Sequence, residues 1–306
     1  MKITEKNGYK ISALTLGTAQ LGLAYGVNND KGMPTFEESS ELLSTALDLG
    51  ITSFDTARAY GESEAVLGRY FSKTNREKTL ITKVIFNGEP KEKIKDELFR
   101  QATDSAKRLG TEKLPFLMLH REGYIEQYGD TLINAMEDLK KEGIVAGVGT
   151  SFSDKTHFSD YCSSASFDCV QIPANMLDNA EIRSGEIKKI SEMGTAVFVR
   201  SVYLQGLFFK DTNSLPESLK SEKHLLDRLH ALASDFGFSM AEMALGFMRD
   251  TEGITSLVMG ADTPDQLRES VGLLEGRPLP EELMKEIIKL SENINPRLVQ
   301  PWTWYI

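Results

Sequence analysis

The sequence predicts an α/β fold of the (β/α)8 type, a TIM barrel, preceded by an N-terminal β-hairpin. Short apolar runs alternate with amphipathic helical stretches along the chain, which is typical of parallel β-α-β units. The competing architecture, a doubly wound open sheet, usually binds a dinucleotide through a G-x-G-x-x-G turn after its first strand. The chain has neither that motif nor a phosphate-binding P-loop, so the barrel is favoured.

The predicted elements follow one another in a regular order. Asn7 and Gly8 make a strong two-residue hairpin turn, so residues 2 to 12 are expected to form the hairpin. Several helical stretches end on a glycine, the usual C-terminal signal, and residues 172 to 195 give only a modest helical pattern. The eight runs predicted as barrel strands are ALTLG, ITSFD, TLITK, PFLMLH, VAGVGTS, DCVQI, TAVFVRS and ITSLVMG.

The composition is that of a globular protein. The chain has 306 residues, 41% hydrophobic and 26% charged, and no linker or composition shift divides it, so residues 1–306 are interpreted as a single domain. A net charge of −10 without an evident basic patch argues against nucleic acid as a partner. Because the N-terminus lacks signal-peptide character and no apolar run approaches the ~20 residues of a membrane span, we expect no membrane association. The two cysteines form no disulfide framework, which fits a cytoplasmic location.

Polar side chains stand at the ends of the predicted strands. In a barrel the carboxyl ends of all strands meet at one face, where active sites lie, so these side chains are expected to converge. Tyr60 follows the second barrel strand on the loop beyond it. The polar strand-end residues are Asp55, Lys83, His120, Ser151, Gln171 and Arg200.

These residue types suit proton transfer to an oxygen. A tyrosine with its ordinary pKa of about 10 is a poor acid at neutral pH, but a nearby ammonium group lowers that pKa. Lys83 is the candidate ammonium group, Asp55 the carboxylate that holds it in place, and His120 the hydrogen-bond donor to a substrate oxygen. Such an assembly protonates an oxygen, as required when a hydride reduces a carbonyl.

The segments GITSFDTARAYGESEAVLG, ITK and LMLHRE, in this order, resemble the aldo-keto reductases, and the likeness runs from about Leu14 to Ser270. The resemblance implies a (β/α)8 barrel that binds NADPH or NADH in an extended form without a Rossmann fold. It also implies roles for four residues: Tyr60 as the general acid, Lys83 and Asp55 as the pair that tunes it, and His120 as the residue that orients the substrate.

The resemblance extends to residues that would bind NADP(H) or NAD(H). Ser151 and Gln171 match the residues that hold the nicotinamide carboxamide. In the family an asparagine usually follows the serine, and in this chain Phe152 takes its place. Arg200 replaces an aromatic residue that stacks on the nicotinamide. The family often has Lys or Arg where Asp262 stands, so we expect NADH to be used alongside or instead of NADPH. The remaining residues that the resemblance places at the cofactor are Ser201, Tyr203, Gly206, Gly260, Gln266 and Glu269.

The C-terminal tail contains the candidate substrate contacts. Trp302, Trp304 and Tyr305 cluster after the last helix, and in the family this segment covers the active-site face and helps line the substrate pocket. Tryptophans suit sugar faces or other flat apolar groups. Trp302 and Trp304 are therefore predicted to bind substrate, and packing of the tail against the barrel wall is the alternative. Gln20, near the first barrel strand, is the third predicted substrate-binding residue. No histidine shows metal-ligand spacing, so no metal site is predicted.

The predicted function is NAD(P)H-dependent reduction of an aldehyde or ketone, sugars and sugar derivatives included, to an alcohol. Two other functions use the same residues: a cofactor-binding regulatory or sensor subunit, and a redox isomerase in sugar-precursor biosynthesis. The expected partner is a small carbonyl substrate, and the sequence does not indicate the oligomeric state.

Overall fold

Eight parallel strands form a closed barrel, in the order β10-β3-β4-β5-β6-β7-β8-β9, in a computed structural model that describes residues 1–24, 32–153, 155–164 and 166–304. Pairing of β9 with β10 closes the cylinder. The first two strands lie outside it as an antiparallel pair. The strands are β1 Ile3–Lys6, β2 Tyr9–Ser12, β3 Leu14–Gly17, β4 Ser53–Asp55, β5 Thr79–Val84, β6 Leu114–Leu119, β7 Val145–Ser151, β8 Cys169–Pro173, β9 Ala196–Arg200 and β10 Ser256–Gly260.

Helices surround the barrel, and local sequence fixes where they begin and end. Thr35 starts the first helix with a capping box to Glu38, and Gly110 ends the third in the left-handed conformation, φ 65°. The region 172–195 contains two short helices, as its modest pattern indicated. The helices are α1 Phe36–Asp48, α2 Ser63–Phe71, α3 Ile94–Leu109, α4 Gly123–Tyr128, α5 Asp130–Lys141, α6 Phe158–Ser164, α7 Ala180–Arg183, α8 Glu186–Glu192, α9 Lys223–Asp235, α10 Met240–Arg249, α11 Pro264–Leu274 and α12 Glu281–Leu290.

The N-terminal hairpin closes the end of the barrel where the strands begin. Asn7 and Gly8 have φ values of 52° and 80°, so the predicted turn forms with two left-handed residues. The Lys10 carbonyl accepts hydrogen bonds from the hydroxyls of Thr52 and Thr79, just before β4 and at the start of β5. The hairpin therefore leaves only the opposite face, where the strands end, open for chemistry.

The barrel interior changes from hydroxyl groups to charged groups along its axis. Near the hairpin, the Thr15 hydroxyl lies 2.7 Å from that of Ser53 and 2.6 Å from that of Ser256. Two residues further along β3 and β4, Gly17 pairs in register with Asp55. The charged side chains thus lie at the carboxyl ends of the strands. Every helix in the described ranges is too short or too polar to traverse a lipid bilayer.

Candidate active site

A buried ion pair lies at the centre of the open face. The Lys83 ammonium group donates to both carboxylate oxygens of Asp55 at 2.7 Å and to the Thr56 carbonyl at 3.1 Å. Lys83 is 0% exposed and Asp55 is 3% exposed. Although burial lowers the pKa of Lys83, Asp55 and Tyr60 raise it, and the net pKa lies above its ordinary value. The lysine is therefore a fixed cation at neutral pH.

The Tyr60 ring lies close to both this cation and His120. The Lys83 nitrogen is 5.2 Å from the centroid of the Tyr60 ring, within cation–π range. The Tyr60 ring also meets the His120 ring edge-to-face, with centroids 5.6 Å apart and an interplanar angle of 85°. The four residues predicted as catalytic, which come from three strand ends and one loop, are thus brought together in space.

The loop that carries Tyr60 is held by a buried hydroxyl cluster. The Ser63 hydroxyl lies 2.8 Å from that of Thr18 and 2.9 Å from that of Thr56. The Thr18 hydroxyl also donates to the Asp55 carbonyl at 2.9 Å. Sequence reasoning did not identify these small residues, because the cluster joins the ends of β3, β4 and α2 through tertiary contacts.

His120 is held in its neutral form. Burial first, and then the charges of Lys83, Arg200 and Arg121, lower the pKa of His120 to about 3. Its Nδ1 atom is buried without a hydrogen-bond partner among the described residues. A neutral imidazole can donate a hydrogen bond at neutral pH but does not supply an ionisable proton there.

The two predicted carboxamide-binding residues are linked to the ion pair. The Ser151 hydroxyl donates to the Gln171 side-chain carbonyl at 3.3 Å, and the Gln171 amide nitrogen donates to Asp55 at 2.9 Å. All three side chains are almost completely buried. The hydrogen-bond chain spans β7, β8 and β4, so a group bound at Gln171 is oriented relative to the Asp55–Lys83 pair.

Arg200 and Phe152, which stand where the resemblance implied other residues, are joined by a hydrogen bond. The Phe152 ring is buried and packs against Phe158 of α6 with centroids 5.0 Å apart. The Phe152 carbonyl accepts a hydrogen bond from the Arg200 guanidinium at 3.0 Å. This bond fixes the arginine at a position that the resemblance assigned to cofactor binding.

A first cleft of about 870 Å³ extends from the ion pair across the open face to the loop after β10. Its wall includes backbone in unusual conformations, because Ser201 and Gln205 have positive φ values of 66° and 51°. Of the residues predicted to bind cofactor, all but Ser151 line this cleft. They are Gln171, Arg200, Ser201, Tyr203, Gly206, Gly260, Asp262, Gln266 and Glu269.

The far end of the first cleft is acidic. Asp262 and Glu269 both line it, and the backbone nitrogen of Asp262 donates to the Gln266 side chain at 2.7 Å. Arg268, the nearby cation in the sequence, forms an exposed ion pair with Asp265 at 2.7 Å and is not among the lining residues. Negative charge is therefore uncompensated by side chains at this end of the cleft, within the described part of the chain.

The predicted substrate-binding residues have three different positions. Gln20 is buried in the wall of the first cleft, where its amide nitrogen donates to the Ala261 carbonyl at 2.7 Å. Trp302 is 66% exposed. Trp304 is 3% exposed and its indole nitrogen donates to the Arg297 carbonyl at 3.0 Å, so it anchors the tail rather than facing a ligand. Tyr305 lies outside the described residues.

No metal site forms in the ranges that the structure covers, since no group of three or more His, Cys, Asp or Glu side chains is placed to hold an ion. Cys162 and Cys169 are buried as unbridged thiols, and burial raises the pKa of Cys162 to about 12. Neither thiol has the ionised character of a nucleophile.

Comparison with known proteins identifies the class to which this fold and site belong. The profile of the Aldo/keto reductase family matches residues 13–292. The protein belongs to the aldo-keto reductase family and is an oxidoreductase of the group that reduces carbonyl compounds. The predicted family resemblance and the predicted barrel with its N-terminal hairpin are both confirmed.

Individual relatives are similar over nearly the whole chain. The uncharacterized oxidoreductase YqkF from Bacillus subtilis (strain 168) is 25% identical over 305 residues, covering 91% of this chain and 94% of that protein. The holo form of aldo-keto reductase AKR11C1 from Bacillus halodurans superposes with a TM-score of 0.77 at 24% identity, covering 98% and 99% of the two chains. The glycerol dehydrogenase AKR11B4 from Gluconobacter oxydans superposes with a TM-score of 0.73 at 20% identity, covering 96% and 98%.

Aldo-keto reductases generally use nicotinamide cofactors, and the first cleft fits such a group. The Tyr203 hydroxyl is buried beside it with no hydrogen-bond partner among the described residues. At Gly206 there is open space where a side chain would project. A hydroxyl donor, a glycine edge and the amide of Gln171 along one cleft suit a long, polar ligand such as a dinucleotide.

Proposed function

We propose that the protein reduces an aldehyde or ketone to the corresponding alcohol with a nicotinamide cofactor, and that Tyr60 donates the proton. The observation that carries the proposal is the buried Lys83–Asp55 pair close to the Tyr60 ring, with His120 in edge-to-face contact with the same ring. A cation held beside a phenol favours the phenolate and makes the phenol a better acid.

Each residue has a separate task in this reaction. A nicotinamide held near Gln171 and Arg200 would supply the hydride for the carbonyl carbon. Tyr60 gives its hydroxyl proton to the carbonyl oxygen, and the Lys83 ammonium stabilises the phenolate that remains until a proton from solvent replaces the lost one. Asp55 keeps the buried lysine charged. His120, neutral because of its low pKa, donates a hydrogen bond to the carbonyl oxygen and does not compete with Tyr60 as the acid.

We further propose that the protein uses NADH alongside or instead of NADPH. The resemblance places the adenosine end of the cofactor near Asp262, at the acidic end of the first cleft. A 2′-phosphate there would meet two carboxylates, whereas a 2′-hydroxyl could donate a hydrogen bond to one of them. Arg268 offers little compensation because it is paired with Asp265.

Replacing Tyr60 tests the proposed proton donor. We expect Tyr60→Phe to lower kcat by about 10²–10⁴ for a carbonyl substrate, because general acid catalysis is lost. The dissociation constant for NADH, measured by fluorescence titration, should stay near that of the wild type. Tyr70→Phe on α2 removes a hydroxyl of the same kind away from the site and should leave both quantities unchanged.

Two results would contradict the proposal. Full activity in Tyr60→Phe would remove Tyr60 from the proton-donor role. Tight cofactor binding by the wild-type protein, with no turnover on a panel of aldehydes and ketones, would instead support a cofactor sensor.

A further inference from the structure

The carboxylate of Glu64 is buried in the wall of the barrel, and the proposed function gives it no task. Glu64 is the second residue of α2 and is 0% exposed. Its Oε1 atom accepts a hydrogen bond from the Thr82 hydroxyl at 2.6 Å, a length typical of a hydroxyl bound to a charged carboxylate. Its Oε2 atom is buried 4.0 Å from the Arg108 guanidinium, without a hydrogen-bond partner among the described residues. Because a buried oxygen left unsatisfied destabilises a fold, stability alone does not account for this carboxylate.

Thr82 connects Glu64 to the strand that carries the active-site lysine. It directly precedes Lys83 in β5. Because successive side chains of a strand point to opposite faces, Lys83 points into the barrel towards Asp55, and Thr82 points outward towards α2. The bond to Glu64 therefore joins the start of α2 to the outer face of the strand whose inner face carries the ammonium group.

Ser63, the first residue of α2, makes the corresponding link to β4. Its hydroxyl accepts a hydrogen bond from the Thr56 hydroxyl at 2.9 Å, and Thr56 directly follows Asp55. The Thr56 carbonyl in turn accepts from the Lys83 ammonium group at 3.1 Å. The first turn of α2 is thus bonded both to the residue after Asp55 and to the residue before Lys83.

The position of Tyr60 depends on this turn. The Tyr60 carbonyl accepts a hydrogen bond from the Ser63 amide at 3.0 Å, so the loop and the start of α2 are joined. The Tyr60 ring centroid lies 5.2 Å from the Lys83 nitrogen. Since the interaction between charges falls with their separation, this distance sets how strongly the ammonium group favours the phenolate. Movement of α2 along β5 would change it.

Glu64 and Thr82 do not form part of a ligand-binding surface. They line neither the first cleft nor a second cleft of about 710 Å³, which shares Arg200 and Ser201 with the first. An effect of either residue on the reaction therefore has to act through the reacting groups.

We propose that Glu64 is a positioning residue of the reductase: by holding Thr82 it fixes the start of α2 against β5, and with it the distance between Tyr60 and Lys83. The inference rests on the proposed function, because it concerns the proton donor assigned there. It adds a residue from the outer side of the barrel wall, which lines neither cleft.

A double variant separates positioning from stability. Glu64→Leu/Thr82→Val replaces both hydrogen-bonding partners with apolar side chains, so it leaves neither unpaired, and its urea midpoint should stay near that of the wild type. We expect kcat for a carbonyl substrate to fall about tenfold. This is less than the roughly 10²-fold effect of a shift of about 1 Å, because Ser63 still holds the turn. The dissociation constant for NADH should not change.

The ionisation of Tyr60 reports the same displacement without turnover. Subtracting the ultraviolet pH titration of the matching Tyr60→Phe protein isolates this phenol from the other tyrosines. In the double variant the phenol should ionise at a higher pH than in the wild type, because the ammonium group of Lys83 is farther away. A role in stability alone would not move this titration.

Two further variants test whether the hydrogen bond is responsible. Glu64→Gln keeps an oxygen that can accept from Thr82 and should recover most of the kcat lost in the double variant. Thr251→Val removes another buried hydroxyl, one that donates to the Phe247 carbonyl at 2.7 Å, and should leave kcat and the Tyr60 titration unchanged. Should the double variant fail to fold, Thr82→Val alone breaks the same bond and is expected to give the same two changes.

The outcomes distinguish this proposal from the reductase proposal. Either wild-type kcat or an unchanged Tyr60 titration in the folded double variant would overturn the positioning role and leave the reductase proposal intact. A loss of kcat in Glu64→Gln as large as in the double variant would also overturn it, since the charge and not the bond would then be responsible. Failure of the wild type to reduce any carbonyl compound would contradict the reductase proposal itself, and the Tyr60 titration would still decide the role of Glu64.

Discussion

Asp262 places a carboxylate at the far end of the first cleft, and we expect this single residue to influence the choice between NADH and NADPH. Asp262→Arg exchanges a carboxylate for a guanidinium group that can bind a phosphate in a bidentate way. We expect the ratio of NADPH to NADH affinity to rise about tenfold, which corresponds to about 1.4 kcal/mol. Dissociation constants for both cofactors, measured at one ionic strength, check this expectation.

Asp265 provides a charge-matched control for that substitution. It lies three residues further on, is 93% exposed in its side chain and does not line the cleft. Asp265→Arg changes the net charge of the protein equally and also frees Arg268 from its partner. If both variants shift the preference equally, general electrostatics or the freed Arg268, and not a contact of Asp262, would explain the effect.

His120 links the site to the pH dependence of stability. Its pKa is about 3 in the folded protein and about 6.5 in an unfolded chain. Below pH 6.5 the unfolded state therefore binds a proton that the folded state does not, and stability is lost as the pH falls from 6.5 towards 3. Between pH 7 and 4.5 we expect this group to lower the free energy of unfolding by about 2 kcal/mol.

Urea denaturation of a matched pair of variants at pH 7 and pH 4.5 measures this contribution. His120→Asn should lose less stability than the wild type over this interval, because it has no imidazole to titrate. His157→Asn changes a histidine whose side chain is 54% exposed and should follow the wild type. A loss in His120→Asn as large as in the wild type would show that His120 titrates normally in the folded protein.

Among the elements, the loop between β4 and α2 is positioned by a close approach of two glycines. A Cβ atom added at Gly22 would overlap the Tyr60 carbonyl oxygen and the Ser63 amide nitrogen, and one added at Gly61 would overlap the Gly22 carbonyl. Backbone atoms cannot rotate away as a flexible side chain can. The position of the loop therefore depends on the short segment after β3. The position of Tyr60 depends on both the loop and that segment.

Gly22→Ala should displace the Tyr60 loop and lower kcat by roughly 10²-fold, because a shift of about 1 Å in a reacting group has an effect of that size. Cofactor affinity should change much less, since most of the cleft lies elsewhere. Gly272→Ala in α11 adds a methyl group that meets nothing within 4 Å and should raise stability by up to about 1 kcal/mol through helix propensity. Wild-type turnover in Gly22→Ala would show that the loop adjusts without cost.

The sequence predicted elements better than the contacts between them. Asp55, Lys83 and His120 were found because a polar residue at the end of an apolar run breaks the local pattern. The bond from Gln171 to Asp55 joins residues 116 positions apart, and no local pattern indicates it. The tail shows the same limit, because Trp302 and Trp304 look equivalent in sequence and only tertiary packing buries one and exposes the other.

At the scale of the whole molecule, the two ends of the barrel have separate roles. In a barrel of this type, catalytic residues lie on the face where the strands end. Residues on the face where the strands begin contribute mainly to stability. Ile11 of the hairpin is 0% exposed and packs in a cluster with Ile81, Phe116 and Phe198 inside the barrel. The hairpin therefore serves as a plug that seals the apolar interior at the end away from the chemistry.

Shortening the buried Ile11 side chain of the hairpin should lower the stability of the protein without altering catalysis. We expect Ile11→Ala to reduce the free energy of unfolding by about 2–4 kcal/mol, because the methyl groups lost leave a cavity in a packed interior. Ile3→Ala, on the same hairpin but 40% exposed, should cost less than about 0.5 kcal/mol. Both variants should keep wild-type kcat and KM at a temperature where they remain folded, since the hairpin lies at the opposite end from Tyr60 and His120. A large fall in kcat for folded Ile11→Ala would show instead that packing at the closed end is coupled through the barrel interior to the position of Lys83.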